Sequence, residues 1–225
     1  MFFLSTNRLD FPNPALTDED GILAVGGDLS PQRLLLAYSW GIFPWFNDDE
    51  PILWWCPDPR FVLFPAELKI PKSMRPLMRS ARFRVTFDEC FEAVTRACGA
   101  QPRPDQDGTW ISEEMVAAYV RLHELGFAHS VEVWEGETLV GGLYGVALGK
   151  FFFGESMFAR VSNASKVGFF TLVEKLLRNG YQLIDCQQQT RHLGSLGARA
   201  ISRNEFLAFL VKNRQLPTQN WAQHL

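Results

Sequence analysis

Apolar residues come in short, irregular clusters at the start of this chain and become periodic further along. Up to about residue 68 they are broken by proline and glycine, as in residues 21–29 (GILAVGGDL), 42–46 (IFPWF) and the pair Trp54 and Trp55. One helix is legible there, because Ser30 followed by Pro31 is an N-cap with proline at the first helical position, and Gly41 closes it. Proline among large aromatics in residues 42–46 excludes an ordinary central strand and predicts a loop. From Thr86 the signals become regular. Thr86, Phe87, Asp88 and Glu89 match a capping box and predict a helix to about Cys98, which Gly99 ends. Ser112 caps a second helix that stops at Gly126. Residues 129–134 alternate as a strand, Glu135, Gly136 and Glu137 turn the chain, and residues 139–147 return. A third strand holds residues 151–153 and ends on a carboxylate, Glu155. A helix over 164–178, a strand over 181–187 and a last helix follow, the last opened by the box Ser202 to Glu205 and reaching Asn213.

Helices, an antiparallel meander, then helix, strand and helix make an α+β arrangement. The expected division is a small N-terminal domain with an aromatic loop over 1–68, a junction over 69–84 and a larger domain over 85–225. The chain of 225 residues, 47% of them hydrophobic, is long enough to bury a full core. No window approaches the roughly 18 consecutive apolar residues of a membrane span, and the start lacks the features of a signal peptide, so the expectation is a cytoplasmic protein with no membrane partner.

Cys56, Cys90, Cys98 and Cys186 have neither metal spacing nor the density of a disulfide framework, and the four histidines are scattered, so no metal is expected. A net charge of -3 excludes a protein that coats nucleic acid generally, leaving room only for a local patch. Residues 69–84 (KIPKSMRPLMRSARFR) are such a patch: Lys69, Lys72, Arg75, Arg79, Arg82 and Arg84 occur there without one acidic residue. Each phosphate that such a segment neutralises releases counterions, although a solvated basic face would look the same. Met74, Leu77 and Met78 at helical spacing place a turn or two beneath the cations and turn these outward.

Two places carry candidate chemistry. An ionised Glu155 at the end of an apolar strand needs a partner, whether in a structural ion pair or in a site. Just after it, Ser162, Asn163, Ala164, Ser165 and Lys166 offer capping groups and a cation at a helix start, where free N–H groups bind anions. Asp185 and Gln187 are two apart on a predicted strand and so share a face.

Longer motifs resemble a known family. Gly26-Gly27-Asp28-Leu29-Ser30-Pro31, Gly41-Ile42-Phe43-Pro44-Trp45-Phe46, Gly108-Thr109-Trp110-Ile111, Gly154-Glu155-Ser156-Met157-Phe158, Ile184-Asp185-Cys186-Gln187 and Ser195-Leu196-Gly197-Ala198 are similar to the bacterial leucyl/phenylalanyl-tRNA–protein transferases, over about residues 11–211. The resemblance implies a GNAT-like acyltransferase domain after the small N-terminal one. It implies transfer of Leu or Phe (and Met as a further candidate donor) from aminoacyl-tRNA to the N-terminal α-amine of proteins that begin with Lys or Arg, marking them for N-degron proteolysis. It implies no cofactor, and the expected state is a monomer.

The resemblance also implies residue roles: Trp45 and Trp110 hold the terminal adenosine, and Leu143, Phe152, Met157, Phe169 and Ile184 surround the donor side chain. Gln187 contacts the attacking amine, Asp185 polarises it, and Glu155 binds either the ribose hydroxyls or the aminoacyl amine. Two alternatives stand beside it, a coenzyme-A-dependent GNAT acetyltransferase and a non-catalytic RNA-binding module. Where GNAT acetyltransferases usually carry a glycine-bearing pyrophosphate loop, this chain reads Arg160-Val161-Ser162-Asn163-Ala164-Ser165 without glycine, which counts against the first.

Overall fold

A computed structural model describes residues 1–101 and 111–218. Its elements in chain order are β1 (Phe2–Leu4), β2 (Ile22–Gly26), α1 (Pro31–Ser39), β3 (Phe43–Pro44), β4 (Leu53–Trp55) and β5 (Arg60–Leu63). Then come α2 (Met74–Arg79), β6 (Arg84–Phe87), α3 (Phe91–Gly99), α4 (Glu113–Glu124), β7 (Ala128–Glu135), β8 (Thr138–Leu148) and β9 (Phe151–Ala159). The chain continues with α5 (Ala164–Arg178), β10 (Leu183–Asp185), α6 (Arg191–Ser195), β11 (Arg199–Ile201) and α7 (Arg203–Asn213). The predicted helix starts at Ser30, Ser112 and Ser202 are N-caps: each hydroxyl accepts a hydrogen bond from the backbone N–H three residues on.

Among the described residues there are two sheets. A four-stranded one has the order β1-β2-β4-β3, and a seven-stranded one the order β11-β5-β10-β9-β8-β7-β6. In the larger sheet only β9 and β10 run parallel. The meander β7-β8-β9, the helix α5 and the parallel strand β10 give the expected GNAT-like order within an α+β fold. Both faces of the sheet are covered, so the inner strand run of residues 151–153 reads as apolar without polar alternation. Phe151 and Phe153 join the core shared with α1, α3 and α4, while Phe152 between them joins the core under α5.

Several elements differ from the sequence expectation. Thr86 caps no helix: it lies in β6, its hydroxyl donates to Glu132 at 2.7 Å, and α3 starts only at Phe91. Cross-strand pairing with β7 prevails over the local capping pattern. Residues 42–46 are not wholly loop, since Phe43 and Pro44 form β3; as an edge strand paired only with β4, it tolerates proline. The strand begun at Phe151 runs on to Ala159, carrying Glu155 in its middle, and β10 covers only three residues of the predicted seven. β5, from the stretch expected to form the first domain, is an inner strand of the larger sheet between β10 and β11.

Candidate active site

The site is built on an irregularity in β9. Tyr144 of β8 faces Ser156 and Gly145 faces Gly154, which leaves Glu155 as the extra residue of a β-bulge. Gly145 makes this possible: a Cβ there would collide with the carbonyl oxygen of Phe153 and lie 2.6 Å from the Phe152 ring. On the other side of β9, pairing with β10 stops at Asp185, opposite Phe153. Where the two strands part lies a cavity of about 470 Å³. Leu143, Phe152, Met157, Phe169, Leu172 and Ile184 form its apolar wall. Phe43, Pro44 and Trp45 from the small sheet's edge line it as well, together with Glu155, Asp185, Gln187 and His192.

Glu155 is held from two sides. Gln187 Nε2 donates to its Oε1 at 2.9 Å and the Tyr119 hydroxyl donates to its Oε2 at 3.0 Å. Tyr119 is in turn hydrogen-bonded to the hydroxyl of Tyr38. Burial pushes the Glu155 carboxyl up to about 7; hydrogen bonds from the tyrosines and Gln187 oppose the rise and the Asp185 charge adds to it. Burial, and then the charge of Glu155, hold both phenols well above their usual range, so they remain protonated donors.

Asp185 is fully buried and both its oxygens are engaged. Arg60 donates Nε to Oδ1 at 2.8 Å and Nη2 to Oδ2 at 2.6 Å, a bidentate pair. The guanidinium lies between the rings of Phe43 and Phe206, 4.7 Å from each centroid. Gln187 does not share a strand face with Asp185, as the spacing predicts. It lies beyond the end of β10 in the left-handed region, φ 61°, and its backbone N–H turns back to Asp185 Oδ1 at 2.9 Å. That turn sends the Gln187 side chain to Glu155.

The structure thus brings Glu155, Asp185, Gln187, Trp45, Leu143, Phe152, Met157, Phe169 and Ile184 to one cavity. Trp45 is partly exposed there, its ring 5.3 Å from that of Trp55. Trp110 lies outside the described residues. At the start of α5, Asn163 holds the N-cap position in the left-handed region, φ 68°, and makes no side-chain cap hydrogen bond. Lys69, Lys72, Arg75, Arg79, Arg82 and Arg84 are all exposed around α2, whose Met74 is buried beneath them. Arg82 pairs with Glu135 and Arg84 with Glu89, while Arg75 and Arg79 border a second concavity beside Glu174.

Sequence reasoning missed Arg60, Tyr38, Tyr119 and His192. Nothing local marks any of the four as a partner of Glu155 or Asp185. Burial, then the nearby charge of Lys166, lower the pKa of His192. Asp88, His123 and His129 also come together, a set of metal-ligand types in which Asp88 is distant in sequence from the two histidines. Each ring already holds a partner within the protein: His129 Nδ1 pairs with Asp88 Oδ2 and His123 Nδ1 with the carbonyl of Ala128, each at 2.9 Å. None of the three lines the cavity.

Fold and site together define an α+β protein with an apolar cavity that ends on an acid and an amide, the acid backed by two buried phenols, a set suited to holding a nonpolar group beside polar ones. The chain belongs to the leucyl/phenylalanyl-tRNA protein transferase family. The family's main model matches residues 62–211 and the model of its N-terminal domain matches residues 27–58. A leucyl/phenylalanyl-tRNA–protein transferase of Pseudomonas fluorescens (strain Pf0-1) is 58% identical over 217 residues, 96% of each chain. One from Anaeromyxobacter sp. (strain K) is 59% identical over 208 residues, 92% of this chain and 89% of that one.

Solved structures overlap more loosely. A GCN5-related N-acetyltransferase from Kribbella flavida has a TM-score of 0.38 at 12% identity, over 76% of this chain and 61% of that one. L-PGS from Bacillus licheniformis has 0.42 at 10%, over 87% and 73%. The chain is an aminoacyltransferase of its family, and among the described residues no helix is long and apolar enough to cross a membrane.

Proposed function

We propose that this chain moves Leu or Phe from aminoacyl-tRNA to the N-terminal α-amine of proteins that begin with Lys or Arg, marking them for N-degron proteolysis, as a monomer in the cytoplasm. The observation that carries the donor half is the cavity itself, whose apolar wall ends at Glu155 and Gln187. A nonpolar side chain bound against Leu143, Phe152, Met157, Phe169 and Ile184 brings its ester carbonyl toward that polar end. Trp45 on the rim offers a ring to the terminal base, and stacking of this kind is worth about 1–3 kcal/mol. The exposed cations around α2 are the proposed contact for the tRNA backbone.

An aminoacyl ester is already activated, and an α-amine with a pKa of about 7.7–8.0 is partly unprotonated at neutral pH. The protein's main task is to hold the two in contact, which contributes on the order of 7–11 kcal/mol. Gln187 is placed to orient the amine. Asp185 does so indirectly, through the Gln187 backbone, because Arg60 already neutralises its carboxylate.

The test mixes the purified protein with radiolabelled leucyl-tRNA and a peptide beginning with Arg, with an N-acetylated copy as control. Label on the free peptide alone is the expected result. Uptake from acetyl-coenzyme A instead would favour the acetyltransferase, and tRNA binding without any transfer would favour the RNA-binding module.

A further inference from the structure

We propose that Glu155 carries the proton of the transfer step and that Tyr119, backed by Tyr38, is the positioning residue that aims its carboxylate into the cavity. This rests on the aminoacyl-transfer reading above. Two carboxylates reach the cavity and their surroundings differ. Asp185 is locked in a bidentate pair with Arg60, so taking a proton would cost that buried pair. Glu155 is held instead by neutral groups, the hydroxyl of Tyr119 and the amide of Gln187. An ionised carboxylate only accepts hydrogen bonds. Tyr119 therefore spends its one proton on Glu155, and Tyr38 must donate to Tyr119, which aligns both phenols toward the carboxylate.

The proton balance closes. As the amine nitrogen bonds to the ester carbonyl carbon, it releases a proton to Glu155. When the bond from that carbon to the ribose oxygen breaks, Glu155 returns a proton to the departing oxygen. Peptide and free tRNA result, with the carboxylate regenerated. One group can serve both steps if it titrates near the working pH, and burial holds Glu155 close to neutrality. The groups that face it are Tyr38 from α1, Tyr119 from α4, Asp185 with Arg60 behind it, and Gln187, with Tyr144 of β8 beside Tyr119.

Single-turnover transfer from leucyl-tRNA to the Arg peptide, followed from pH 5.5 to 9.5, tests this. The unaltered protein should show two rising steps, one from Glu155 and one from the acceptor amine. E155Q should lose the lower step and about a hundredfold or more in rate. Y119F removes the donor that favours ionised Glu155, so the lower step should move to higher pH with the amine step unchanged. The rate should fall roughly tenfold at pH 6 and less than twofold at pH 9, as for loss of one charged hydrogen bond. Y38F should move the lower step the same way, and it carries the test if Y119F does not fold. A Y119F or Y38F profile that superimposes on the unaltered one, or an E155Q protein that keeps both steps, would overturn the relay alone. No transfer by the unaltered protein would overturn the functional reading with it.

Discussion

Glu155→Gln should change how the stability of the fold depends on pH. Burial raises the Glu155 carboxyl from an ordinary 4.5 to about 7 in the folded chain. A carboxyl raised on folding favours the folded state while it is protonated, below about 4.5, and loses that contribution as pH rises through about 7. Integrating proton uptake between pH 5 and pH 8 with these two values gives a loss of about 2–3 kcal/mol. The amide that replaces the carboxyl does not titrate, so the variant should gain this amount on the original protein over that interval. The amide presents one accepting oxygen in place of two, so the hydrogen bonds from Tyr119 to Oε2 and from Gln187 to Oε1 cannot both persist, and that cost is nearly independent of pH. Only the change in the difference between the two proteins is diagnostic. Urea unfolding at pH 5 and pH 8 measures it, and thermal midpoints should separate by a further 5–10 °C or so at the higher pH for a chain of this size. Equal differences at both pH values would refute a half-buried Glu155 whose carboxyl is raised on folding.

Other outcomes follow from the same geometry. Asp185→Ala leaves Arg60 buried without its counter-charge, so it should destabilise by about 3–5 kcal/mol and abolish transfer, both read from urea unfolding alongside the peptide assay. Gly145→Ala drives a methyl group into the Phe153 carbonyl and the Phe152 ring; a loss of about 1–3 kcal/mol or more in unfolding, with reduced transfer, is expected as the bulge at Glu155 is displaced. Met157→Trp should narrow the cavity and raise the KM for leucyl-tRNA while leaving the thermal midpoint within a few degrees, and an unchanged KM would remove Met157 from the donor pocket. Charge reversal at Arg75 and Arg79 should weaken tRNA binding and flatten the slope of log K against log salt by about 2, whereas an unaltered slope would make α2 a solvated face.

How much was legible in the sequence differs from feature to feature. Ser30, Ser112 and Ser202 announce their helices because a hydroxyl reaching an N–H three residues on is a local event. The run Phe151, Phe152 and Phe153 reads as a buried strand for an equally local reason, three apolar side chains that need cover on two faces. Where local signals competed with pairing they failed. Thr86 looks like a cap and is a strand residue, because β7 offers it a complete ladder. Likewise β10 stops at Asp185 because β9 parts from it there and Gln187 turns into the left-handed region, whatever alternation continues to Gln187.

The sequence by itself determined most of the longer helices, most of the meander, most apolar residues of the cavity and, through its long motifs, the family. Only the tertiary structure decided what each carboxylate can do. Arg60 and Asp185 are 125 positions apart, Tyr119 and Glu155 are 36 apart, and Tyr38 is 81 from Tyr119. The bulge depends on the register of β8 against β9. Partners that distant leave no periodic trace, since their meeting is set by how sheet and helices pack. Burial and neighbouring charge, which set the surroundings of Asp185 and Glu155 apart, exist only once that packing is complete.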